Sequence, residues 1–228
     1  MTNVAILIVA SIGPGLLWLW YFYKQDRFEP EPLRMILKVF FMGILLVVPA
    51  GVLEQIWRPQ IVNAIQNANW LNFLMLAFLV VALIEEGLKS SFLIWMMSKN
   101  HELDEPVDGI IYGITLGLGF ASLENFLWAS VYGYGVAAMR AVVTTLAHAT
   151  FTGWMGNYVA RYKLSAISDQ GLLWKGFLLA CMIHGSYDFL LFLRSSFASL
   201  LAFGLIVTLL FRLYRTMQRL SAESPFRQ

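Results

Sequence analysis

Ile84-Glu85-Glu86-Gly87-Leu88-Lys89 interrupts an apolar run that begins near Trp70 (NWLNFLMLAFLVVALI) and resumes as SSFLIWMM up to Met97. A run of that length crosses a bilayer, because about 20 helical residues cover a hydrocarbon core of roughly 30 Å. A charged side chain at the centre of such a helix costs about 2.5–3.5 kcal/mol even on the mildest insertion scales. Two adjacent carboxylates and a lysine one turn later therefore need partners, and the rest of the chain must supply them.

The composition fits a membrane setting. Of 228 residues, 59% are hydrophobic and 13% charged, the balance of a polytopic membrane protein rather than a soluble domain. The formal net charge of +2 says nothing about nucleic acid, and none is expected as a partner. Cys181 is the single cysteine, which excludes an intramolecular disulfide and a multi-cysteine metal site. The first apolar run has no basic region ahead of it and no small-residue cleavage pattern before Lys24, so it reads as a retained span.

Seven apolar segments are helix-length rather than barrel-strand length. They run roughly over 3–23, 33–53, 72–97, 107–132, 136–158, 172–193 and 197–214. The connections KQDRFEPEP (24–32) and KNHELDEP (99–106) are charged and end in proline, which stops helices on both sides. The fold class is all-α: about seven transmembrane helices forming a single domain over 1–228, with a core from about 29 to 193.

Basic residues orient the bundle. With the N-terminus outside and the C-terminus inside, the inner side holds Lys24, Arg27, Arg34, Lys38, Lys99, Arg161, Lys163, Lys175, Arg212, Arg215, Arg219 and Arg227. The outer side holds only Arg58, Arg140 and Arg194, and Lys89 lies within a span.

Partners for the glutamate pair come from the next three spans. The fourth carries Phe120-Ala-Ser-Leu-Glu124-Asn125, the fifth His148 among Thr144, Thr145 and Thr152, and the sixth His184-Gly-Ser-Tyr-Asp188. At the helical rise, Glu85, Glu124, His148 and Asp188 lie roughly 20–27 Å from the inner ends, with His184 at about 14 Å. Four helices, spans three to six, thus place acid or imidazole in one layer near or just beyond the midplane. His184 and Asp188 share a helix face, and so do Glu85 and Lys89, in the favourable acid-first order. Asp188 suits a place beside His184 or the orientation of its ring. Glu86 points about 100° away from Glu85 around the helix, so the two carboxylates are free to differ in role. One carboxylate could bind a metal or orient a histidine while the other activates water. Two histidines with Glu86, Glu124 and Asp188 suit a divalent ion such as zinc.

Bland readings exist for each feature. The Glu85–Glu86–Lys89 set could be a structural ion network, although buried charge is weak evidence for stability. Glu124 with Asn125 could be an interhelical hydrogen-bonding pair, and Gly113, Gly117 and Gly119 read as close helix packing. No phosphate loop is present, since no Lys-Ser/Thr follows these glycines. His101 reads as solvated in a charged loop. Agreement of order, spacing and depth favours function for the intramembrane set.

Together Glu85-Glu86-x-x-Lys89, Phe120-x-x-x-Glu124-Asn125, His148 and His184-x-x-x-Asp188 resemble the PrsW family of intramembrane proteases, related to the CAAX type II and Abi proteases. The flanking EPEP (29–32) and Asp104-Glu105-Pro106-Val107-Asp108-Gly109-Ile110-Ile111-Tyr112 match as well, so the likeness runs from about Glu29 to Asp188. It implies cleavage of a single-span membrane protein, in the family's best-known role an anti-sigma factor cut at site 1. It implies Glu85 and Glu86 as the essential pair, with His148 and His184 in the catalytic centre. It also implies a metalloprotease, although CAAX relatives have been read as glutamate-and-histidine enzymes without a metal. Lys89, four residues after Glu85, then neutralises that carboxylate, and Asn125 is a candidate extra donor to the scissile carbonyl. The setting implied is a multi-pass protein of a bacterial inner membrane. An ion- or proton-coupled transporter and a non-catalytic scaffold are the competing functions; the former lacks a visible inverted repeat, and the latter does not require every motif residue.

Overall fold

Charged, proline-ended loops and one glycine punctuate the helices. The computed structural model describes residues 4–26, 28–67, 69–99, 101–167 and 169–227, without the side chains of Ile65 and Ala137. Asn3, where the first apolar segment begins, and Arg27 of the inner basic set lie outside the described residues.

The elements are all helical: α1 (Val4–Tyr23), α2 (Leu33–Gln55), α3 (Arg58–Asn67), α4 (Trp70–Met75), a π-helical stretch (Leu76–Ala82), α5 (Leu83–Lys99), α6 (Pro106–Tyr132), α7 (Tyr134–Leu164), α8 (Gln170–Phe192) and α9 (Ser196–Ala222). Each apolar segment read from the sequence falls on one long helix, the third on the continuous rod Trp70–Lys99. Five of these are long and apolar enough to cross a membrane: Val4–Tyr23, Leu33–Gln55, Trp70–Lys99, Pro106–Tyr132 and Ser196–Ala222. The long helices α7 and α8 fall outside that group because they carry polar residues of the site, among them Arg140, Thr144, His148, His184 and Asp188. The stretch 58–67, read as connection, forms the short polar helix α3.

Local chemistry sets the boundaries. Pro106 occupies the first turn of α6, where a missing N–H costs nothing. The Asp108 carboxylate accepts the N–H groups of Glu105 (2.7 Å) and Asp104 (3.1 Å), which caps the helix. At the other end Gly133 has φ of 85°, a left-handed conformation that costs glycine least. It makes a one-residue turn, so α6 and α7 fold back as a tight hairpin.

That hairpin is the core. Gly109, Gly113 and Gly117 form a stripe on α6, and a Cβ at these positions would meet the main chain of Gly156, Thr152 and His148 on α7. The two backbones are therefore in near contact, as small residues permit inside membranes. On another face of α6, Gly119 lies against the main chain of Phe40 on α2. Around this centre α1, α2, α5, α8 and α9 turn large apolar side chains outward, among them Leu17, Trp20, Phe41, Val48, Trp95, Leu178 and Phe197. Such a surface suits lipid rather than water.

The rod Trp70–Lys99 departs from a regular helix. Seven residues, Leu76–Ala82, adopt π-helical bonding immediately before the glutamate pair, an irregularity that often accompanies functional sites. It faces α8, where Gly185 gives room to the Phe78 ring and the Cys181 thiol donates to the Ala82 carbonyl (3.7 Å). The wider turn changes the rotation of everything after it, and so determines which way Glu85 and Glu86 point.

Candidate functional site

Glu85 and Glu86 open α5, and both are buried. Lys89 Nζ lies 3.2 Å from Glu85 Oε2 and 2.6 Å from Glu86 Oε1. The pairing expected with Glu85 alone is therefore shared, and Glu86 holds the shorter contact. The same ammonium stands 3.2 Å from His148 Nδ1 on α7 and 4.1 Å from the Phe120 ring centre on α6. An ammonium has only hydrogens to offer, so His148 Nδ1 is the acceptor. The other ring nitrogen, Nε2, then carries a proton and faces Glu124 Oε2 at 2.8 Å.

His184 on α8 is held between two acids. Its Nδ1 is 2.9 Å from Glu86 Oε1 and its Nε2 is 3.2 Å from Asp188 Oδ2. Phe151 stacks on the ring at 4.5 Å. The two imidazole centres are 5.3 Å apart. Glu85 Oε2 lies 3.9 Å from His148 Nδ1 and 4.0 Å from His184 Nε2, a separation that one water bridges.

A cavity of about 390 Å³ opens on this cluster. Its walls include Glu85, Glu124, His148, His184, Asp188 and Arg140. Glu86 and Lys89 are not among its lining residues and have no exposed surface. The two glutamates thus differ: Glu85 faces the cavity, and Glu86 stands behind it, tying Lys89 to His184.

Every site residue expected from the sequence gathers here, in two shells. Asn125 is the farthest back: its amide donates to Thr145 Oγ1 (2.9 Å) and accepts from Arg140 Nε (3.0 Å), so both ends are engaged between α6 and α7. The compact donor group for a metal differs from the expected set of Glu86, Glu124, His148, His184 and Asp188. Among the described residues it is Glu85, Glu86 and His148, whose ligand atoms lie within 4.8 Å of one another. Glu124, His184 and Asp188 fall outside it, although Glu124 lies against His148 and His184 against Glu86.

These three donors are of the right kind for a divalent ion, and Glu86 Oε2 is buried without a hydrogen-bond partner. Lys89, however, uses one atom of each of the three. A metal ion fits the group only with that ammonium withdrawn.

Three residues of the site escaped the sequence reading. Arg140 counted only as an outer-side charge, yet its Nη2 grips Glu124 Oε1 at 2.7 Å. Trp128 donates to the same oxygen (3.1 Å). Glu54, near the end of α2, lines the cavity. Arg140 and Glu54 sit near helix ends, where a charge is ordinary, so only position in space marks them.

Comparison with known proteins finds relatives over most of the chain. The family model described as "PrsW family intramembrane metalloprotease" matches residues 31–214. "Protease PrsW" of Geobacillus kaustophilus is 37% identical over 185 residues, covering 81% of this chain and 79% of the relative. "Protease PrsW" of Bacillus subtilis is 34% identical, covering 81% and 82%. That of Oceanobacillus iheyensis is 32% identical, covering 92% and 94%. No solved structure matches.

Proposed function

Since the chain belongs to the PrsW family of intramembrane proteases, we propose that the cavity walled by Glu85 is its active site. There Glu85 takes the proton from a water that attacks a peptide bond of a membrane-protein substrate. The observation that carries this reading is the division of the pair: Glu85 faces the cavity, whereas Glu86 is sealed behind it.

Each neighbour then has a role set by its contacts. Lys89 holds the Glu85 carboxylate in place beside the water site, 3.2 Å away. His184, on the cavity wall, turns its Nε2–H from Asp188 toward the carbonyl oxygen as charge develops there, and Glu85 delivers the proton it took from water to the departing amine. Asp188 and Glu86 orient that ring. Glu124 orients His148, and Arg140 orients Glu124 with Asn125 behind it. With Lys89 withdrawn, a divalent ion held by Glu85, Glu86 and His148 would polarise the scissile carbonyl and acidify bound water.

The seven long helices fit a seven-span arrangement with the N-terminus outside and the C-terminus inside, supported by the skew of basic residues toward one side. In that frame Glu54 and Arg140 mark the outer mouth of the cavity. The substrate is a single-span protein cut near its outer juxtamembrane segment, and the family resemblance makes an anti-sigma factor of a bacterial inner membrane the first candidate.

The test is cleavage of single-span anti-sigma factors by purified protein in liposomes. Wild type should cut, and Glu85→Gln should lower the rate by about 10²–10⁴-fold, the usual worth of a general base. It should leave thermal unfolding within a few degrees of wild type. Full activity in a folded Glu85→Gln protein would remove Glu85 from the reaction.

A further inference from the structure

Most charged groups around the cavity make short ion contacts. Lys89 is shared by Glu85 and Glu86, Arg140 is bound to Glu124, and His184 sits between Glu86 and Asp188. Glu54 on α2 has no ion pair among the described residues, and its Oε1 is buried without a hydrogen-bond partner. It lies on the cavity wall, where the negative charges of Glu124 and Asp188 are opposed by the positive charges of His184 and Lys89. A carboxylate oxygen withdrawn from water without a partner is costly, and a cation brought to it would offset that cost.

We propose that Glu54 reads the substrate: it binds a lysine or arginine side chain of the membrane-protein segment drawn into the cavity, beside the bond to be cut. The inference rests on the reading of the cavity as the protease site. The wall next to Glu54 suits such a guest. Gly51, three residues earlier on the same helix, also lines the cavity, and a Cβ there would meet nothing within 4 Å. With Val47 and Ala50 it leaves an apolar track for the aliphatic stem, while the charged head reaches the carboxylate. An interfacial glutamate facing only water would not have a buried, unpartnered oxygen.

The experiment uses the full chain in liposomes with a library of single-span peptides. Five residues on the outer side of the apolar segment are randomised, and products are mapped by mass spectrometry. Wild type should enrich lysine or arginine at one position near the cut by about tenfold, the discrimination that one well-placed charge contact supplies. Glu54→Gln should flatten that preference. Glu54→Lys should reverse it toward aspartate or glutamate, which a purely structural residue would not do. If Glu54→Lys does not fold, Glu54→Gln decides alone. Cleavage that requires Glu85 yet shows no basic preference, or the same preference in wild type and the Glu54 variants, overturns the inference and leaves the active site standing. Cleavage that persists in Glu85→Gln, or no wild-type cleavage, overturns both.

Discussion

Glu86 Oε1 and His184 Nδ1 lie 2.9 Å apart, joining α5 to α8 across 98 positions of sequence. The same oxygen receives Lys89 at 2.6 Å. One carboxylate atom thus holds a cation on its own helix and an imidazole on another, and it does so where water has no access.

Removing that carboxylate should damage the fold as well as the reaction. Glu86→Ala strands a buried ammonium and one side of a buried imidazole, and breaking a buried pair typically costs about 3–5 kcal/mol. Thermal unfolding in detergent should show a large loss for Glu86→Ala and a small one for Glu85→Gln. Equal losses in the two variants would contradict the division of labour between the glutamates.

Gly117 places His148. A Cβ at position 117 would meet the His148 carbonyl and the start of the next residue, main-chain atoms that have no rotamer to move. Gly117→Ala should push α7 away from α6 and shift His148 from Lys89 and Glu124. The expected result is a loss of cleavage of about 10²-fold, the cost of misplacing a reacting group by an ångström. Gly135→Ala, where a Cβ would meet nothing within 4 Å, serves as the control and should cut normally.

Lys89 occupies the donors that a divalent ion would need. Its ammonium takes up one atom each of Glu85, Glu86 and His148, the three donors a divalent ion would use. Lys89→Met removes the positive charge and frees all three. Zinc should therefore raise the unfolding temperature of Lys89→Met more than that of wild type, with affinity at least about tenfold tighter. Equal zinc shifts in the two proteins would show that the ion binds elsewhere or alongside the ammonium.

Outside the membrane, the loop between α1 and α2 carries a proton-linked contribution to stability. Burial pushes the Glu31 carboxyl up to about 8; the hydrogen bond from the Tyr112 hydroxyl opposes this, and the charge of Asp26 adds to it. Burial and the charge of Glu105 push Asp26 up to about 6. Both groups bind protons more tightly in the fold than in the unfolded chain. Their contribution is full below their ordinary values near 4 and is lost as pH rises through about 6 and then about 8. Unfolding temperature should fall between pH 5 and 8.5. Glu31→Gln keeps an acceptor for Tyr112 and should flatten the upper part of that fall, gaining a few degrees at pH 8. An unchanged pH profile would contradict this account.

Much of the site is legible in order and spacing. Charges within an apolar run demand partners, and a carboxylate or histidine on each of three later helices at similar depth supplies them. Arg140 and Glu54 were not legible in that way. The π-helical turn at Leu76–Ala82 also leaves no local mark, since nothing in LAFLVVA breaks a regular helix; packing against α8 accompanies it.

The chain by itself determined that there would be long apolar helices, which of them would carry charge, and that the charges must meet. Hydrophobic length and the cost of an unpaired ion in lipid are properties of a segment, so they can be read one segment at a time. Only the tertiary structure decided which glutamate faces the cavity, that Lys89 leans toward Glu86, and that Glu54 is left without a cation. Those outcomes depend on helix rotation and on the approach of α6 to α7 along the glycine stripe. Rotation about a helix axis is decided by what packs against it, and the packing partners lie far away in sequence.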